Sequence, residues 1–444
     1  MSAIIPVVGP QSSPHRLDEP NATVHATGVT YLPRVVDAEL FLSLASVGAV
    51  LIEGPKACGK TETARQAARS EVRLDVDPRA RSAAAIDPSL ILDGETPRLI
   101  DEWQREPAIW NHVRRAVDDR QATGQFILAG SAVPPDDETR HTGAGRIIRL
   151  RMRPMTLWES GHSSGAVSFA ATLGGQPAHA PDPGLAIRDI AERVAAGGWP
   201  GHLDVPIALI QRRLRGYIGE IARADVERVD GARRDPQVAM RLLRSLARNV
   251  ATPAPATRLR ADVNGADGNL KEETISSYLD ALARLMITED LPAWAPALRS
   301  RTRLRAAPVR HFVDPSLAVA AMRASSERLL ADPNWFGFLF ENLVVRDLRV
   351  YAQALEGDVY HYRDESGLEA DAIVEMPDGR WAAFEVKLGQ GEVDVAAEHL
   401  KKLRDRVDSG TTGEPLALAV ITGAGYGYVR ADGVAVIPIG ALAP

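Results

Sequence analysis

Short apolar segments alternate with amphipathic segments between residues 31 and 150. The apolar runs Ala49–Ile52, Leu99–Ile100 and Phe126–Ala129 have the length of buried strands, and Trp110–Arg120 has the periodicity of a helix. Strands that alternate with helices form a parallel sheet with helices on both faces. The pattern therefore predicts an α/β domain, which we delimit as residues 29–155. Weaker signals in it indicate a helix at 37–46 and strands at 74–76 and 146–150.

The middle of the chain has a mainly helical pattern. Low complexity at 161–184 predicts a loop, and helices are expected at 185–196 and 208–226. The turn residues Gly197-Gly198-Trp199-Pro200 separate these two helices. We therefore expect residues 156–235 to form a helical lid.

The next segment combines helices with an extended stretch. Helical patterns occupy 238–249 and 272–286, and the second has an apolar stripe that includes Ile275 and Leu282. The extended segment 287–304 follows it. Short helices followed by an extended segment are typical of a winged helix-turn-helix, which we predict for residues 236–307.

The last third begins near Pro308 and mixes helices with strands. The pattern predicts a helix at 335–350, three strands, a helix at 393–407 and two further strands. Pro377-Asp378-Gly379 has turn chemistry and is expected to join two of the strands as a hairpin. Residues 308–444 are thus predicted to form a second α/β domain.

The clearest motif lies between the first strand and the helix after it. Residues 54–61, Gly-Pro-Lys-Ala-Cys-Gly-Lys-Thr, match the GxxxxGK[ST] phosphate loop in its required strand-to-helix context. Backbone N–H groups of such a loop and the positive end of the helix dipole converge on a polyphosphate. Lys60 is expected to reach the β- and γ-phosphates, and Thr61 to ligate Mg²⁺. The sequence predicts an ATP-binding segment made of Gly54, Pro55, Lys56, Ala57, Cys58, Gly59, Lys60, Thr61 and Glu62.

Two later strands end in residues that suit nucleotide chemistry. Asp101 suits a contact to Mg²⁺, and Glu102 is placed to orient or deprotonate the attacking water. Ser131 follows the third apolar run, where a hydroxyl can sense the γ-phosphate. Arg146 has two interpretations. It either reaches the γ-phosphate, in cis or from a neighbouring subunit, or makes a local salt bridge at the strand end.

A second group of charged residues surrounds the predicted C-terminal hairpin. Asp371 lies in one strand, and Glu385 and Lys387 share one face of the other because side chains alternate along a strand. Glu341, on the preceding helix, could add a third carboxylate. Hard oxygen ligands suit Mg²⁺ or Mn²⁺, and Lys387 could hold an attacking water. The alternative is a hairpin with exposed alternating charges.

These residues carry a resemblance that covers about residues 30–440. Asp371, Glu385 and Lys387 are similar to the D…ExK arrangement of the PD-(D/E)xK nucleases, with Ala370 in place of the usual proline. The chain as a whole resembles prokaryotic AAA-type P-loop ATPases that carry a C-terminal domain of unknown function. The resemblance implies an ATPase core, a helical lid, a winged helix and a nuclease-like (restriction-endonuclease-like) domain at 308–444. The residues on which this resemblance rests are the phosphate loop and residues 99–102, 127–132, 145–146, 197–200, 340–342 and 385–387.

Composition narrows the class of protein further. Hydrophobic residues at 45% and charged residues at 25% are ordinary for a globular protein. The net charge of −6 gives no global basic field, so any nucleic-acid surface must be local. One cysteine, Cys58, excludes a disulfide framework and fits the cytoplasm. No apolar window is long enough to span a membrane, and residues 1–28 are polar and Pro-rich, as in a flexible tail.

Arginine clusters could provide such a local basic surface. Residues 208–260 hold twelve arginines against five acids. In the helix 272–286, acidic residues would repel phosphates, and Tyr278 is the aromatic residue that could stack on a base. Solvated helix faces and inter-domain salt bridges explain arginine runs equally well, so contact with DNA stays open. Alternating arginines also mark the predicted wing: Arg299, Arg301, Arg303 and Arg305.

Three functions fit these features. The leading hypothesis is a Mg²⁺-dependent ATPase that binds ATP and ADP and rearranges its two C-terminal modules on DNA. The second is a nucleotide-gated regulatory or binding protein with a catalytically dead nuclease fold, and the third is an ATP-regulated nuclease. Glu102 favours turnover over binding alone, because a non-hydrolysing switch does not need that carboxylate. The sequence leaves a homo-oligomer open.

Overall fold

The N-terminal part of the protein is built on a five-stranded sheet. In the computed structural model, residues 31–131, 142–264, 268–296 and 307–444 are described, and the predicted tail and the four wing arginines lie outside these ranges. The strands are β1 Ala49–Glu53, β2 Ser70–Arg73, β3 Arg98–Asp101, β4 Phe126–Gly130 and β5 Ile147–Arg151. Their order in the sheet is β2-β3-β4-β1-β5, and every neighbouring pair is parallel.

Apolar cores lie on both faces of this sheet. Val50 and Ile52 of β1 pack into one core, and Ala49 and Leu51 pack into another on the opposite face. This alternation follows from the two-residue repeat of a strand. The helices of this region are α1 Val36–Ser46, α2 Lys60–Ala67, α3 Pro78–Ile86 and α4 Ile109–Arg120. The predicted α/β fold with a parallel sheet is confirmed.

One strand of this sheet lies elsewhere than predicted. The sequence predicts a strand at 74–76, but the strand in this part of the chain is β2, which ends at Arg73. Leu74 is buried but Val76 is 56% exposed, so the two apolar residues do not share an inward face. In β2 itself only Val72 is buried. An edge strand with one buried residue has too little alternation to be recognised in the sequence.

A helical region follows the sheet. The long helix predicted at 208–226 ends at Glu220 and continues as a π-helical turn, Ile221–Asp225. The elements are β6 Val167–Ser168, α5 Phe169–Leu173, α6 Ile187–Ala196, α7 Ile207–Glu220, α8 Val226–Arg228, α9 Pro236–Arg248, β7 Thr252–Pro253, α10 Ala256–Asn264, α11 Glu272–Arg284, β8 Val309–Arg310, α12 Pro315–Ala321 and α13 Ser326–Ala331. β7 and β8 pair antiparallel, and Leu291 bridges to Val309.

A second sheet forms the C-terminal part. It contains the strands β9 Asp358–Arg363, β10 Glu369–Glu375, β11 Trp381–Lys387, β12 Leu418–Thr422, β13 Tyr428–Val429 and β14 Ala435–Pro438, and β15 Leu442–Ala443 pairs separately with β6. The order is β13-β14-β12-β11-β10-β9. β9, β10 and β11 are antiparallel, whereas β12 runs parallel to β11. The helices are α14 Pro333–Gln353, α15 Val393–Arg406 and α16 Ser409–Thr412.

A buried polar network connects three segments that are distant in sequence. Arg346 of α14 forms ion pairs with Asp314 and Asp347, both at 2.7 Å, and all three side chains are at most 2% exposed. Asp314 also accepts the backbone N–H of Gly198 at 2.9 Å, and Asp347 accepts that of Leu157 at 3.0 Å. Residues 34–444 form one compact unit. The network fixes the loop after β5 and the Gly197–Pro200 turn to α14.

This network predicts that residue 198 must be glycine. A Cβ on Gly198 would overlap the backbone carbonyl of Met155. Met155 cannot move away, because its backbone N–H donates to the carbonyl oxygen of Gly198 at 2.6 Å. We expect Gly198→Ala to lower the free energy of unfolding by roughly 3 kcal/mol or more, measured by denaturant unfolding.

Gly201→Ala in the same turn is the matched control. A Cβ there meets no atom within 4 Å, so its effect should stay within about 1 kcal/mol. Equal stability of the two variants would show that the close approach at Gly198 does not constrain the fold.

Candidate functional site

The predicted phosphate loop connects β1 to α2. Ala57 and Gly59 have φ angles of 65° and 106°, and α2 begins at Lys60. Left-handed residues directly before a helix turn successive N–H groups into a concave anion-binding surface. A Cβ on Gly54 would overlap the carbonyl of Met152, so only glycine fits at the start of the loop. The loop therefore has the backbone geometry of a polyphosphate site.

Lys60 and Thr61 are held at the start of α2. Lys60 is buried, and its ammonium donates to the carbonyls of Gly54 and Pro55 at 2.9 and 2.8 Å. The Thr61 hydroxyl donates to Asp101 Oδ1 at 3.0 Å. The structure thus brings together the cation, the hydroxyl and the first carboxylate that the sequence selected.

The second carboxylate lies next to the first at the same sheet edge. Glu102 is left-handed, with a φ of 54°, and accepts a hydrogen bond from Gln104 Nε2 at 2.5 Å. Burial, together with the charge of Glu102, raises the pKa of Asp101. Ser131 is buried directly after β4, the strand between β1 and β3. Ser131 therefore follows the strand that lies between the strand of the phosphate loop and the strand of the carboxylates, and its contact with the γ-phosphate stays a prediction.

Arg146 lies at the amino ends of the parallel strands, whereas the phosphate loop lies at their carboxyl ends. Ile147 pairs with Ala49, so Arg146 precedes the first residue of β1, whereas Gly54 follows the last. Its guanidinium pairs with Asp118 at 2.9 Å. A strand of this length spans about 16 Å, so Arg146 cannot reach the γ-phosphate bound by its own subunit. This geometry does not fit the in-cis role considered for Arg146 and agrees with the local salt bridge, whereas a role from a neighbouring subunit stays a prediction.

Two other members of the predicted segment face away from a ligand. Glu62 is exposed on the first turn of α2, where it accepts from Arg65 at 2.5 Å. Cys58 is buried with its sulfur near the carbonyl of Met152. Of the two, Cys58 belongs to the loop backbone, whereas Glu62 belongs to α2.

A buried ion pair behind the loop was not predicted. Arg34 and Glu159 pair at 3.0 Å, with side chains 4% and 1% exposed. Arg34 also donates to the carbonyl of Cys58 at 3.0 Å and to that of Arg153 at 2.8 Å. Both residues are isolated charges in loops, so neither motif nor periodicity identifies them.

The helical region after the sheet also contacts the loop, through Asp225 and Tyr217, which the sequence did not select. Lys56 pairs with Asp225 of the π-helical turn at 2.6 Å. Tyr217 Oη donates to the carbonyl of Lys56 at 3.3 Å. A π-helical turn inside a longer helix frequently occurs at a functional site, which is a structural signal absent from the sequence pattern.

The C-terminal charged residues come together around β10 and β11. The register pairs Ala372 with Phe384, which places Asp371 opposite Glu385. Lys387 Nζ lies 2.7 Å from Glu385 Oε2 and 3.5 Å from Asp371 Oδ2. Asp371 Oδ2 also accepts the N–H of Val386 at 2.7 Å. Glu341 of α14 faces the group, since Asp371 and Glu385 act on its ionisation.

This group brings three carboxyl groups and one ammonium together in a largely buried place. Burial, followed by repulsion from Asp371, raises the pKa of Glu385 to about 8. The same two causes raise the pKa of Glu341 well above its ordinary value. Burial opposes the charge of Lys387, but Asp371 and Glu385 outweigh it and raise the pKa of this lysine. In the described ranges, no three Asp, Glu, His or Cys side chains meet in a geometry that would hold a metal ion.

Tyr278 cannot stack on a base as predicted. It is 5% exposed, its hydroxyl accepts the N–H of Asp235 at 2.7 Å, and its ring lies 5.8 Å from the guanidinium carbon of Arg234. Many arginines of α7 and α9 are exposed, among them Arg212, Arg213, Arg215, Arg241, Arg244 and Arg248. Within the described part of the chain, no helix is long and apolar enough to cross a membrane.

Comparison with protein families identifies the class of the first domain. Residues 46–160 match a family model described as an AAA domain. Residues 187–328 and 336–442 match two models described as domains of unknown function, DUF8612 and DUF4143. The N-terminal domain is thus of the AAA type with a P-loop, and this class supports ATP binding and ATPase activity. The coarser part of the predicted resemblance, such a domain followed by a C-terminal domain of unknown function, is confirmed.

Whole-chain relatives come from mycobacteria. Uncharacterized proteins of Mycobacterium bovis and Mycobacterium tuberculosis are each 25% identical over 388 residues, which cover 85% of this chain and 78% of theirs. Among solved structures, one of Drosophila ORC bound to DNA matches with 10% identity and a TM-score of 0.20, covering 72% of this chain and 97% of that one. A TM-score this low carries no argument. The mycobacterial relatives agree with the predicted prokaryotic grouping.

The C-terminal group predicts an unusual dependence of stability on pH. The ordinary pKa of Glu385 is 4.5, and burial raises it to about 8 in the folded protein. Between these values the folded state retains a proton that the unfolded state releases, so stability falls as pH rises from about 4.5 to 8. We expect Glu385→Gln to reduce this loss when denaturant unfolding is measured in EDTA across that pH range.

Glu398→Gln, on the exposed side of α15, is the control and should leave the pH profile as in wild type. If Glu385→Gln and wild type lose stability in parallel up to pH 8, Glu385 does not hold the proton.

Proposed function

We propose that this protein is a Mg²⁺-dependent ATPase that couples hydrolysis to rearrangement of its C-terminal modules. The observation that carries the proposal is the convergence at one sheet edge of Lys60, the Thr61–Asp101 hydrogen bond and Glu102 around the phosphate loop. Parallel strands present their carboxyl ends at the same edge, so one nucleotide can contact all of them.

Each residue has a distinct role in the proposed reaction. The loop N–H groups and Lys60 bind the phosphates, and Lys60 exchanges its two loop carbonyls for phosphate oxygens. The Thr61 hydroxyl and the Asp101 carboxylate, 3.0 Å apart, are the hard oxygen donors that suit Mg²⁺. When bound, Mg²⁺ neutralises charge on the β- and γ-phosphates. Glu102 orients and deprotonates the attacking water, and Ser131 donates to the γ-phosphate.

A winged helix is our interpretation of residues 236–307, as far as they are described, together with the extended segment that follows. Three helices, α9, α10 and α11, are followed by extended segments in which Thr288 bridges to Phe312 and Leu291 to Val309. β7 also pairs with β8, so β8 lies between β7 and the segment of Leu291. This order of helices and paired extended segments supports a winged helix-turn-helix. Exposed arginines on α7 and α9 support DNA as its partner, although the predicted base-stacking tyrosine does not.

A nuclease-like fold is our interpretation of the C-terminal sheet. A helix, three antiparallel strands, a second helix and a parallel strand follow one another, with Asp371, Glu385 and Lys387 on two paired strands. The raised pKa values of Glu341 and Glu385 support a cation site, since a divalent ion would relieve their repulsion. Asp371, Glu385 and Glu341 are the residues that would hold Mg²⁺ or Mn²⁺.

A regulatory protein with an inactive nuclease fold is the second candidate. Lys387 already pairs with Glu385 and approaches Asp371, and no three-ligand metal geometry occurs among the described residues. In this alternative the ammonium replaces the metal, and ATP turnover alone drives the C-terminal modules.

The first test of the ATPase separates binding from hydrolysis. We expect Glu102→Gln to bind ATP as wild type does while kcat falls by roughly 10²-fold or more, because the amide keeps the shape and loses the base. Lys60→Ala should instead lose ATP affinity. Calorimetric Kd and steady-state turnover measure the two effects.

Glu106→Gln is the matched control, since this carboxylate follows the same short turn outside the site. Its kcat should equal that of wild type. Wild-type turnover in Glu102→Gln would rule out Glu102 as the catalytic base.

The second test concerns metal binding at the C-terminal group. Mn²⁺ should raise the Tm of the full-length protein without nucleotide, and Asp371→Asn should reduce that increase because it removes a charged ligand. Asp378→Asn, on the exposed hairpin turn, should keep the full increase. Equal Mn²⁺ responses in both variants would favour the inactive fold.

A further inference from the structure

We propose that Arg34 is a positioning residue of the phosphate loop, held by Glu159. This inference deepens the proposed ATPase and rests on it. Arg34 directly precedes the first turn of α1, and its guanidinium reaches the back of the loop, where Nη1 donates to the carbonyl oxygen of Cys58 at 3.0 Å. Because this contact is with the loop backbone, we assign Arg34 a role that acts through the loop backbone.

The contacted carbonyl belongs to a key peptide of the loop. Cys58 lies between Ala57 and Gly59, the two left-handed residues that bend the loop. In a trans peptide the C=O and the following N–H point in opposite directions. A carbonyl of Cys58 that is fixed toward Arg34 therefore turns the N–H of Gly59 away from Arg34, toward the concave side of the loop. That N–H belongs to the set that binds phosphate oxygens.

The guanidinium itself is fixed from three directions. Its Nε donates to Glu159 Oε1 at 3.0 Å, and Nη2 donates to the carbonyl of Arg153 at 2.8 Å. Glu159 in turn accepts the N–H groups of Val35 and Thr156, both at 2.8 Å. The segment before α1 and the loop after β5 thus position one side chain against the phosphate loop.

Arginine suits this place better than lysine. The pair is almost fully buried, and a planar guanidinium can serve a carboxylate and two carbonyls at once in a fixed geometry. An ammonium is a single charged centre on a flexible chain, so it cannot reproduce the directions of all three bonds. Nearby Gly59 leaves little space, since a Cβ there would lie 3.4 Å from Arg34 Nη1.

The test compares nucleotide binding with stability in full-length variants. We expect Arg34→Met to weaken ATP and ADP affinity by roughly tenfold or more and to lower kcat, with Arg34→Lys between it and wild type. Glu159→Gln should weaken affinity less than Arg34→Met, because its one amide oxygen still accepts a hydrogen bond from Arg34, whereas the charge and the second acceptor oxygen are lost. Kd is measured by calorimetry well below the Tm of each variant.

Arg310→Met is the matched control. Arg310 is also a largely buried arginine that pairs with a carboxylate, Asp290, and donates to a carbonyl, that of Ala254. It should lower Tm in the same way and leave ATP affinity unchanged.

The outcomes separate this inference from the proposed function. Wild-type ATP affinity in Arg34→Met, with only Tm lowered, would overturn the positioning role and leave the ATPase intact. A Glu159→Gln variant that folds and binds ATP as wild type does would overturn the role of Glu159. If the wild-type protein binds neither ATP nor ADP, both the ATPase and this inference are overturned.

Discussion

The fold depends on how a fully buried cation, Arg346, is neutralised. An unpaired guanidinium in the interior would be strongly unfavourable, so its two carboxylates must both be present. Asp314 comes from the segment before α12, and Asp347 is the next residue of α14. Each carboxylate also accepts a hydrogen bond from a backbone N–H of another segment. One charge therefore determines where three parts of the chain meet.

Buried charges elsewhere in the protein divide into balanced and unbalanced groups. Burial opposes ionisation of Glu289, yet Arg153, Arg349 and Arg151 surround it and lower its pKa. The C-terminal group is different, since Lys387 is shared by Asp371, Glu385 and Glu341, and two of those acids have raised pKa values. Asp101 likewise has a raised pKa. Carboxyl groups outnumber cationic groups, and have raised pKa values, at the two places where the proposed function needs a cation.

The sequence predicts best where chemistry and chain order coincide. The phosphate loop, Asp101 and Ser131 follow successive strands, so the parallel sheet alone brings them together. Arg146 illustrates the opposite case, because a residue at the start of a strand lies at the amino ends of the strands, away from the phosphate loop. The Gly145-Arg146 step in the sequence does not reveal this. Arg34 and Glu159 are 125 residues apart, and their pairing depends on tertiary packing. The antiparallel register placed Asp371 opposite Glu385 as expected, whereas Tyr278 was buried by contacts with Arg234 and Asp235.

The helix α14 has a mechanical consequence. It is continuous from Pro333 to Gln353 and carries Glu341 of the C-terminal acidic group as well as Arg346 and Asp347 of the buried network. Six residues of helix separate Glu341 from Asp347 by about 9 Å, and a regular helix does not change that length. The same Asp347 holds Leu157, two residues before Glu159 and the phosphate loop behind it. One continuous helix of fixed length therefore connects the neighbourhoods of the two candidate sites, so Glu341 and Asp347 keep their spacing unless the helix itself changes conformation.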